Sequence, residues 1–258
     1  MTPRLRSLLA VLLISTPTLV GAQAVLDIRN DFYFPTDAVD RVAERVYKTR
    51  TRELADSARL DVDATLLARL RGVLAALKVG ARFEHAQSAT VDWEIHTCRR
   101  CGENASAMAG GRLLVGEEFV NELALSDAEL AYVLAHEMAH VLAEHSREFA
   151  SAARYFVDNG RHRDYQDIQN ELSESFVVNL RMAAVSAQQE IEADYIGFIL
   201  GARSGYEPYA MLSLLAKLNG ELTDSAAMNP VGQKRISQAQ AMLETARRIR
   251  AVKVSALH

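Results

Sequence analysis

Two histidines four residues apart are the part of this sequence best suited to chemistry. His136 and His140 flank Glu137 in the stretch His-Glu-Met-Ala-His. Residues four apart on an α-helix are separated by about 40° around its axis, so both imidazoles would point the same way and hold one metal ion. Zinc activates a bound water, and Glu137 would take the water's proton as it attacks a carbonyl. The spacing therefore predicts metal-assisted hydrolysis.

A second pair of spaced residues offers the rest of such a site. Catalytic zinc needs three protein ligands and one open position, and Glu190 supplies a third ligand on another predicted helix. Asp194, four residues later, would accept a hydrogen bond from the free nitrogen of a ligand histidine. Glu192 points elsewhere and is expected to be solvated. His145 would lie about 140° from His140 on a continuous helix, so we expect it to be structural and not a ligand.

The elements that must position these residues are mostly helices. Ser126 and Glu129 form a capping box, which predicts a helix from about residue 128 to 145 that carries the metal motif. Residues 188–200 predict the helix that carries the third ligand. Apolar positions at three- and four-residue spacing predict two or three further helices between residues 37 and 77.

Strands are fewer and shorter in the predicted fold. Residues 89–95 alternate with a period of two, and residues 111–115 resemble a second short strand. The more polar segment from 146 to 186 predicts a loop or broken helix near the site. The sequence therefore predicts an α+β fold that is mainly helical.

The metal motif and the later acidic pair together resemble a known family. Glu190 lies 50 residues after His140, and this layout resembles the zinc metallopeptidases that include HtpX, BepA, LoiP and the CaaX prenyl protease. Residues 104–111 resemble the family's strand-and-loop segment, and residues 205–208 its Gly-Tyr-Asp-Pro turn. The resemblance covers roughly residues 85–245. It implies a zincin-like (gluzincin) domain with a small β-sheet beside the HExxH helix.

The same resemblance implies a role for each site residue. It makes Glu137 the general base and Asp194 the residue that orients a ligand, and it implies one Zn²⁺ per chain, held by His136, His140 and Glu190. Family members usually carry His-Pro and then an Arg six residues after that His. The matching stretch here runs from Asn229 to Arg235, so the Arg is kept and the His is Asn. Arg235 or the Asn229 amide would donate a hydrogen bond to the oxyanion of the transition state.

The N-terminal residues predict a targeting segment. Arg4 and Arg6 precede an apolar run and an Ala-x-Ala site, which together predict a signal peptide over residues 1–24 and a periplasmic protein without a transmembrane segment after cleavage. A helical N-terminal portion (25–80) and a zinc metallopeptidase domain (81–258) would follow. The net charge of −4 and the pI near 6.0 argue against nucleic acid as a partner.

The two cysteines, Cys98 and Cys101, are three residues apart. In an oxidising compartment this spacing favours a disulfide. A thioredoxin-like redox pair and half of a structural zinc site are the alternatives.

These patterns predict a zinc-dependent endopeptidase that acts on proteins or peptides. The resemblance implies misfolded or misassembled envelope proteins as substrates, and hence a role in quality control in the bacterial periplasm. The alternative is a zinc-stabilised chaperone or adaptor for outer-membrane protein assembly with little proteolysis. The replacement of the family His by Asn229 motivates that alternative.

Overall fold

The chain folds into helices arranged around one small sheet, and the computed structural model describes residues 32–221 and 230–255. The predicted signal peptide and Asn229 therefore lie outside the described residues. The strands are β1 (Glu94–Cys98), β2 (Ala105–Met108) and β3 (Arg112–Gly116). The helices are α1 (Thr36–Asp56), α2 (Ala64–Glu84), α3 (Glu117–Glu122), α4 (Asp127–Leu142), α5 (His145–Ala153), α6 (Tyr165–Glu174), α7 (Phe176–Arg203), α8 (Tyr209–Glu221) and α9 (Pro230–Ser255). This composition confirms the predicted mainly helical α+β fold.

The sheet has three strands in the order β1-β3-β2. β3 is the central strand, parallel to β1 and antiparallel to β2. β3 matches the second predicted strand to within one residue at each end, but the first strand was predicted too early, since β1 shares only residues 94 and 95 with the predicted range 89–95 and extends to residue 98. β2 forms one edge of the sheet, and its residues are all half-buried. This edge is the part of the sheet that faces the metal motif.

The N-terminal helices share a core with the rest of the chain. α2 begins at the cap Asp63, whose side chain accepts a hydrogen bond from the Leu66 backbone, and it runs to Glu84 through the predicted domain boundary at residue 80. Its buried Leu70 and Leu77 belong to the same hydrophobic cluster as Leu134 of α4. Because the apolar face of α2 covers the metal helix, this part of the chain supports the site directly.

The helix that carries the metal motif, α4, begins as predicted. The Ser126 side chain accepts a hydrogen bond from the Glu129 backbone, and the Glu129 carboxylate accepts one from the Ser126 backbone, which confirms the capping box. α4 ends earlier than predicted, at Leu142, because Glu144 adopts a left-handed conformation with φ 54°. The chain therefore turns before α5 begins at His145.

The helix that carries the predicted third ligand, α7, is longer than predicted. It begins at Phe176 and not at residue 188, with Ser175 as its cap. Its early residues mix exposed apolar and polar side chains without a helical period, so the sequence did not mark this part as helix. α7 crosses α4 at short range through Gly197 and Gly201. A Cβ at Gly197 would lie 2.8 Å from the His136 backbone nitrogen, and one at Gly201 would lie 2.4 Å from the Tyr132 ring.

Cys98 and Cys101 form a disulfide, as the sequence predicted. Cys98 lies at the end of β1 and is fully buried. It packs with Leu54 of α1 and Leu114 of β3. The bond therefore fastens the loop after β1 to the core.

Candidate metal centre and active site

Three predicted ligands converge where α4 and α7 cross. His136 Nε2 lies 3.1 Å from His140 Nε2, and Glu190 carboxylate oxygens lie 3.5 Å from each of these nitrogens. Zinc binds nitrogen and oxygen at about 2.0–2.2 Å with tetrahedral geometry, which places neighbouring ligand atoms about 3.4 Å apart. The three side chains are therefore spaced to hold one zinc ion, and among the described residues they form a group that could bind a metal.

The predicted orienting residue, Asp194, lies next to the first histidine. Its Oδ1 is 3.0 Å from His136 Nδ1, the ring nitrogen that faces away from the other ligands. Arg235 of α9 donates two hydrogen bonds to the same carboxylate, at 2.5 and 2.8 Å. Arg235 Nη1 also lies 3.5 Å from Glu190 Oε2. Arg235 thus joins α9 to both acidic residues of the α7 pair.

Glu137 lies on α4 between the ligands and the sheet edge. Burial is the largest influence on its carboxyl group and, with the negative charge of Glu190, raises its pKa from 4.5 to about 7. A hydrogen bond from the Ala107 backbone in β2 acts in the opposite direction. A carboxyl group with a pKa near neutrality is well suited to accept and return a proton.

The two histidines differ in their affinity for protons. Burial alone would lower the pKa of His136, but hydrogen bonds to Asp194 and Glu190 outweigh it and raise this pKa to about 9. Burial and the positive charge of His136 lower the pKa of His140. In the metal-free protein, therefore, His136 carries a proton at neutral pH that a metal ion must displace.

His145 and Glu192 lie beside the predicted ligands, and neither belongs to the group of His136, His140 and Glu190. His145 is buried, and its Nδ1 lies 2.9 Å from His140 Nδ1. The Glu192 side chain is 39% exposed, in keeping with the prediction that it is solvated, and its Oε2 lies 3.7 Å from His145 Nε2. The predicted angle of 140° between His140 and His145 assumed one continuous helix, but the turn at Glu144 places them on separate helices. The sequence carries no glycine or proline there to indicate the break.

Two cavities adjoin Glu137. The larger, about 610 Å³, is lined by β2 and by residues of α1, α5, α6 and α7. The smaller, about 200 Å³, is mainly apolar. Its walls include Phe119, Val133, Leu214, Leu215, Leu218 and Arg235. A peptide lying across Glu137 would have space on both sides of the carboxylate.

Curated proteins similar to this chain are mitochondrial metalloendopeptidases called OMA1. The chain is 32% identical to the one from Arabidopsis thaliana over 161 residues, which is 60% of this chain and 33% of that protein. It is 31% identical to the one from Schizosaccharomyces pombe over 164 residues, 60% of this chain and 48% of that protein. The chain thus spans between a third and half of these relatives. No solved structure matches the chain significantly.

The prediction of a bacterial periplasmic location is wrong by this comparison, because the relatives are mitochondrial proteins of eukaryotes. It rested on the basic and apolar residues at 1–24. Secretory signal peptides and mitochondrial targeting peptides are both basic at this end, so that composition is common to the two routes. Between residues 32 and 221 and between 230 and 255, no helix combines the length and apolarity needed to span a membrane.

The family comparison covers the whole region that builds the site. The model of Peptidase family M48 matches residues 68–243, more than half of the chain. The match begins within α2 and ends within α9, so it includes every element that contributes a residue to the metal centre. It confirms the resemblance and the metallopeptidase class predicted from the sequence. The chain belongs to Peptidase family M48.

Proposed function

We propose that this chain is a zinc-dependent endopeptidase. The observation that carries the proposal is the spacing of His136, His140 and Glu190, whose ligand atoms lie 3.1–3.5 Å apart beside the buried carboxylate of Glu137. A structural zinc site would use four protein ligands, whereas three leave one position open for substrate or water. Bound zinc would polarise a peptide carbonyl and lower the pKa of a water.

Within this proposal Glu137 is the general base. Its carboxylate takes a proton from the attacking water and then delivers it to the leaving amine. Its raised pKa, about 7, helps both transfers. Asp194 accepts a hydrogen bond from His136 Nδ1 and so directs Nε2 of the same ring towards the metal.

Arg235 has two candidate roles in this proposal. Its Nε and Nη2 hold Asp194, so it positions the residue that orients His136. Nη1 lies 3.5 Å from Glu190 Oε2, and Arg235 lines the smaller cavity, so Nη1 is the candidate donor to an oxyanion. We propose positioning as its main role because two of its three nitrogens already bind Asp194.

The sheet edge supports a protein substrate in extended form. β2 is the edge strand of the sheet, lines the larger cavity and contacts Glu137 through Ala107. An extended peptide can add to such an edge through main-chain hydrogen bonds. Segments able to do so are exposed in unfolded regions, so we propose misfolded proteins as substrates and quality control as the role.

The smaller cavity supports a preference beside the scissile bond. It is about 200 Å³ in volume, and leucine, valine and phenylalanine side chains form part of its lining beside the charged residues of the site. An apolar cavity of about 150 Å³ is large enough to hold a benzene ring. We therefore propose that the enzyme prefers a large apolar residue next to the bond it cleaves.

Cleavage of an unfolded protein tests the proposal. The zinc-loaded chain should cut a reduced, alkylated protein, and Glu137→Gln should keep the zinc but lower the rate by about 10²–10⁴-fold, because it cannot take the proton. Glu122→Gln, which changes an exposed residue on α3, serves as the matched control. Unchanged cleavage by Glu137→Gln would contradict the mechanism. Binding of the unfolded protein without any cleavage would favour the chaperone alternative.

A further inference from the structure

His145 packs directly behind the second proposed zinc ligand. The chain turns at Glu144, in left-handed conformation, and this turn brings the first residue of α5 back against the end of α4. His145 is only 3% exposed, and its Nδ1 lies 2.9 Å from His140 Nδ1. The two rings meet edge to face, with centroids 4.8 Å apart. This contact engages the nitrogen of His140 that the metal would not use.

The positions of the ring nitrogens fix where the hydrogen atoms must be. His140 Nε2 faces His136 and Glu190, so it is the nitrogen that binds metal. A neutral imidazole that binds metal through Nε2 carries its hydrogen on Nδ1 and needs an acceptor there. His145 Nδ1 is at the right distance to be that acceptor. His145 then carries its own hydrogen on Nε2, which lies 3.7 Å from Glu192 Oε2, longer than a hydrogen bond but close enough for an electrostatic interaction.

The backbone of His145 is itself held by α7. Gln189 donates one hydrogen bond to the backbone carbonyl of His145, at 3.1 Å, and another to Glu148 of α5, at 2.5 Å. Gln189 is only 5% exposed. These contacts fix the start of α5 against the helix that also supplies Glu190.

We propose that His145 is a positioning residue for His140, with Glu192 as the outer member of a His140–His145–Glu192 chain. His145 is the counterpart of Asp194, which positions His136. One helix, α7, then orients both histidines through separate chains and supplies the third ligand as well. This inference rests on the proposed function, because it takes His140 to be a zinc ligand.

Zinc affinity, measured by competition with a chromogenic chelator, tests the role of His145. His145→Leu removes the acceptor at similar size, and we expect about a 10- to 100-fold loss of affinity, the usual effect of removing such a partner. His145→Asn keeps an acceptor oxygen near the position of Nδ1 and should restore most of the affinity. Glu192→Gln should give a smaller loss. His96→Leu is the control, since His96 lies on β1 and its ring contacts Asp61 and Glu94, neither of which is a proposed ligand.

The outcomes separate this inference from the proposed function. If the unaltered chain binds no zinc, the proposed function fails and the chain of positioning residues fails with it. If the unaltered chain binds zinc and Glu190→Ala abolishes binding, but His145→Leu binds zinc normally, only the inference on His145 is refuted. Should His145→Leu not fold, the zinc affinities of His145→Asn and Glu192→Gln are compared with that of His96→Leu. Lost affinity in His145→Asn together with unchanged affinity in Glu192→Gln would contradict the proposed His140–His145–Glu192 chain.

Discussion

The close crossing of α4 and α7 at Gly197 gives the sharpest test of how the fold builds the site. In Gly197→Ala the new Cβ would lie 2.8 Å from the backbone nitrogen of His136 and 3.0 Å from the carbonyl carbon of Ala135. Ordinary contacts of this kind begin at 3.4 Å. Backbone atoms cannot rotate away as a flexible side chain can, so the two helices must separate by roughly 0.6 Å.

This separation would lower both the stability of the protein and its affinity for zinc. Overpacking of a core costs about 1–3 kcal/mol, while alanine in a helix interior gains at most about 1 kcal/mol over glycine. We therefore expect Gly197→Ala to lower the free energy of unfolding by up to about 2 kcal/mol. Metal ligands tolerate displacements of about 0.2 Å. Because Glu190 and Asp194 lie on α7 and the histidines on α4, zinc affinity should fall at least about tenfold.

Gly72→Ala in α2 is the matched control, because no atom lies within 4 Å of a Cβ added there. This exposed helical site should become more stable by about 0.5–1 kcal/mol. Urea unfolding of the metal-free proteins measures stability, and chelator competition measures zinc affinity. If Gly197→Ala stabilises the protein as much as Gly72→Ala does and leaves zinc affinity unchanged, the close crossing does not position the ligands.

Four further changes test other parts of the account. In the metal-free protein the raised pKa of Glu137 makes the folded state lose stability as the pH rises from 4.5 to about 7. Glu137→Gln should therefore stabilise this protein by up to about 3 kcal/mol above pH 7 and have no effect below pH 4.5. Urea unfolding over a pH series measures this change. Burial alone would raise the pKa of Glu129, but hydrogen bonds from Lys217, Ser213 and Ser126 lower it to about 2. Glu129→Gln should therefore destabilise the protein by up to about 3 kcal/mol at pH 7, and by progressively less below pH 4.5, in the same urea series. Arg235→Lys should weaken zinc binding in chelator competition without abolishing it, because lysine cannot form the paired hydrogen bonds to Asp194. Leu218→Trp should narrow the smaller cavity and shift the preference in a peptide series from large to small apolar residues; an unchanged order of kcat/KM would place that preference elsewhere.

Local patterns in the sequence were enough to predict the helix of the metal motif. The capping box and the spacing of His136 and His140 depend only on neighbouring residues, and both are present in α4. The pairing of Glu190 with Asp194 is also local. That the two helices meet was inferred from the need of catalytic zinc for a third ligand and from the family resemblance, because spacing within a helix carries no information about which helix it packs against.

The rest of the site depends on features that spacing alone did not show. His145 reaches His140 because a glutamate, and not a glycine, adopts the left-handed turn at Glu144. Gly197 and Gly201 carry a usable signal, since small residues four apart on one helix face allow close approach to another helix. The compartment was mispredicted because a basic N-terminal segment is common to more than one targeting route.

Metal analysis of the purified protein tests the central claim most directly. The unaltered chain should contain one zinc ion per chain, and Glu190→Ala should lose it after dialysis, because two histidines alone leave the ligand set incomplete. Glu122→Gln should retain it. If the unaltered chain binds no zinc, or if Glu190→Ala keeps zinc at the same stoichiometry and affinity, then His136, His140 and Glu190 do not form the metal site.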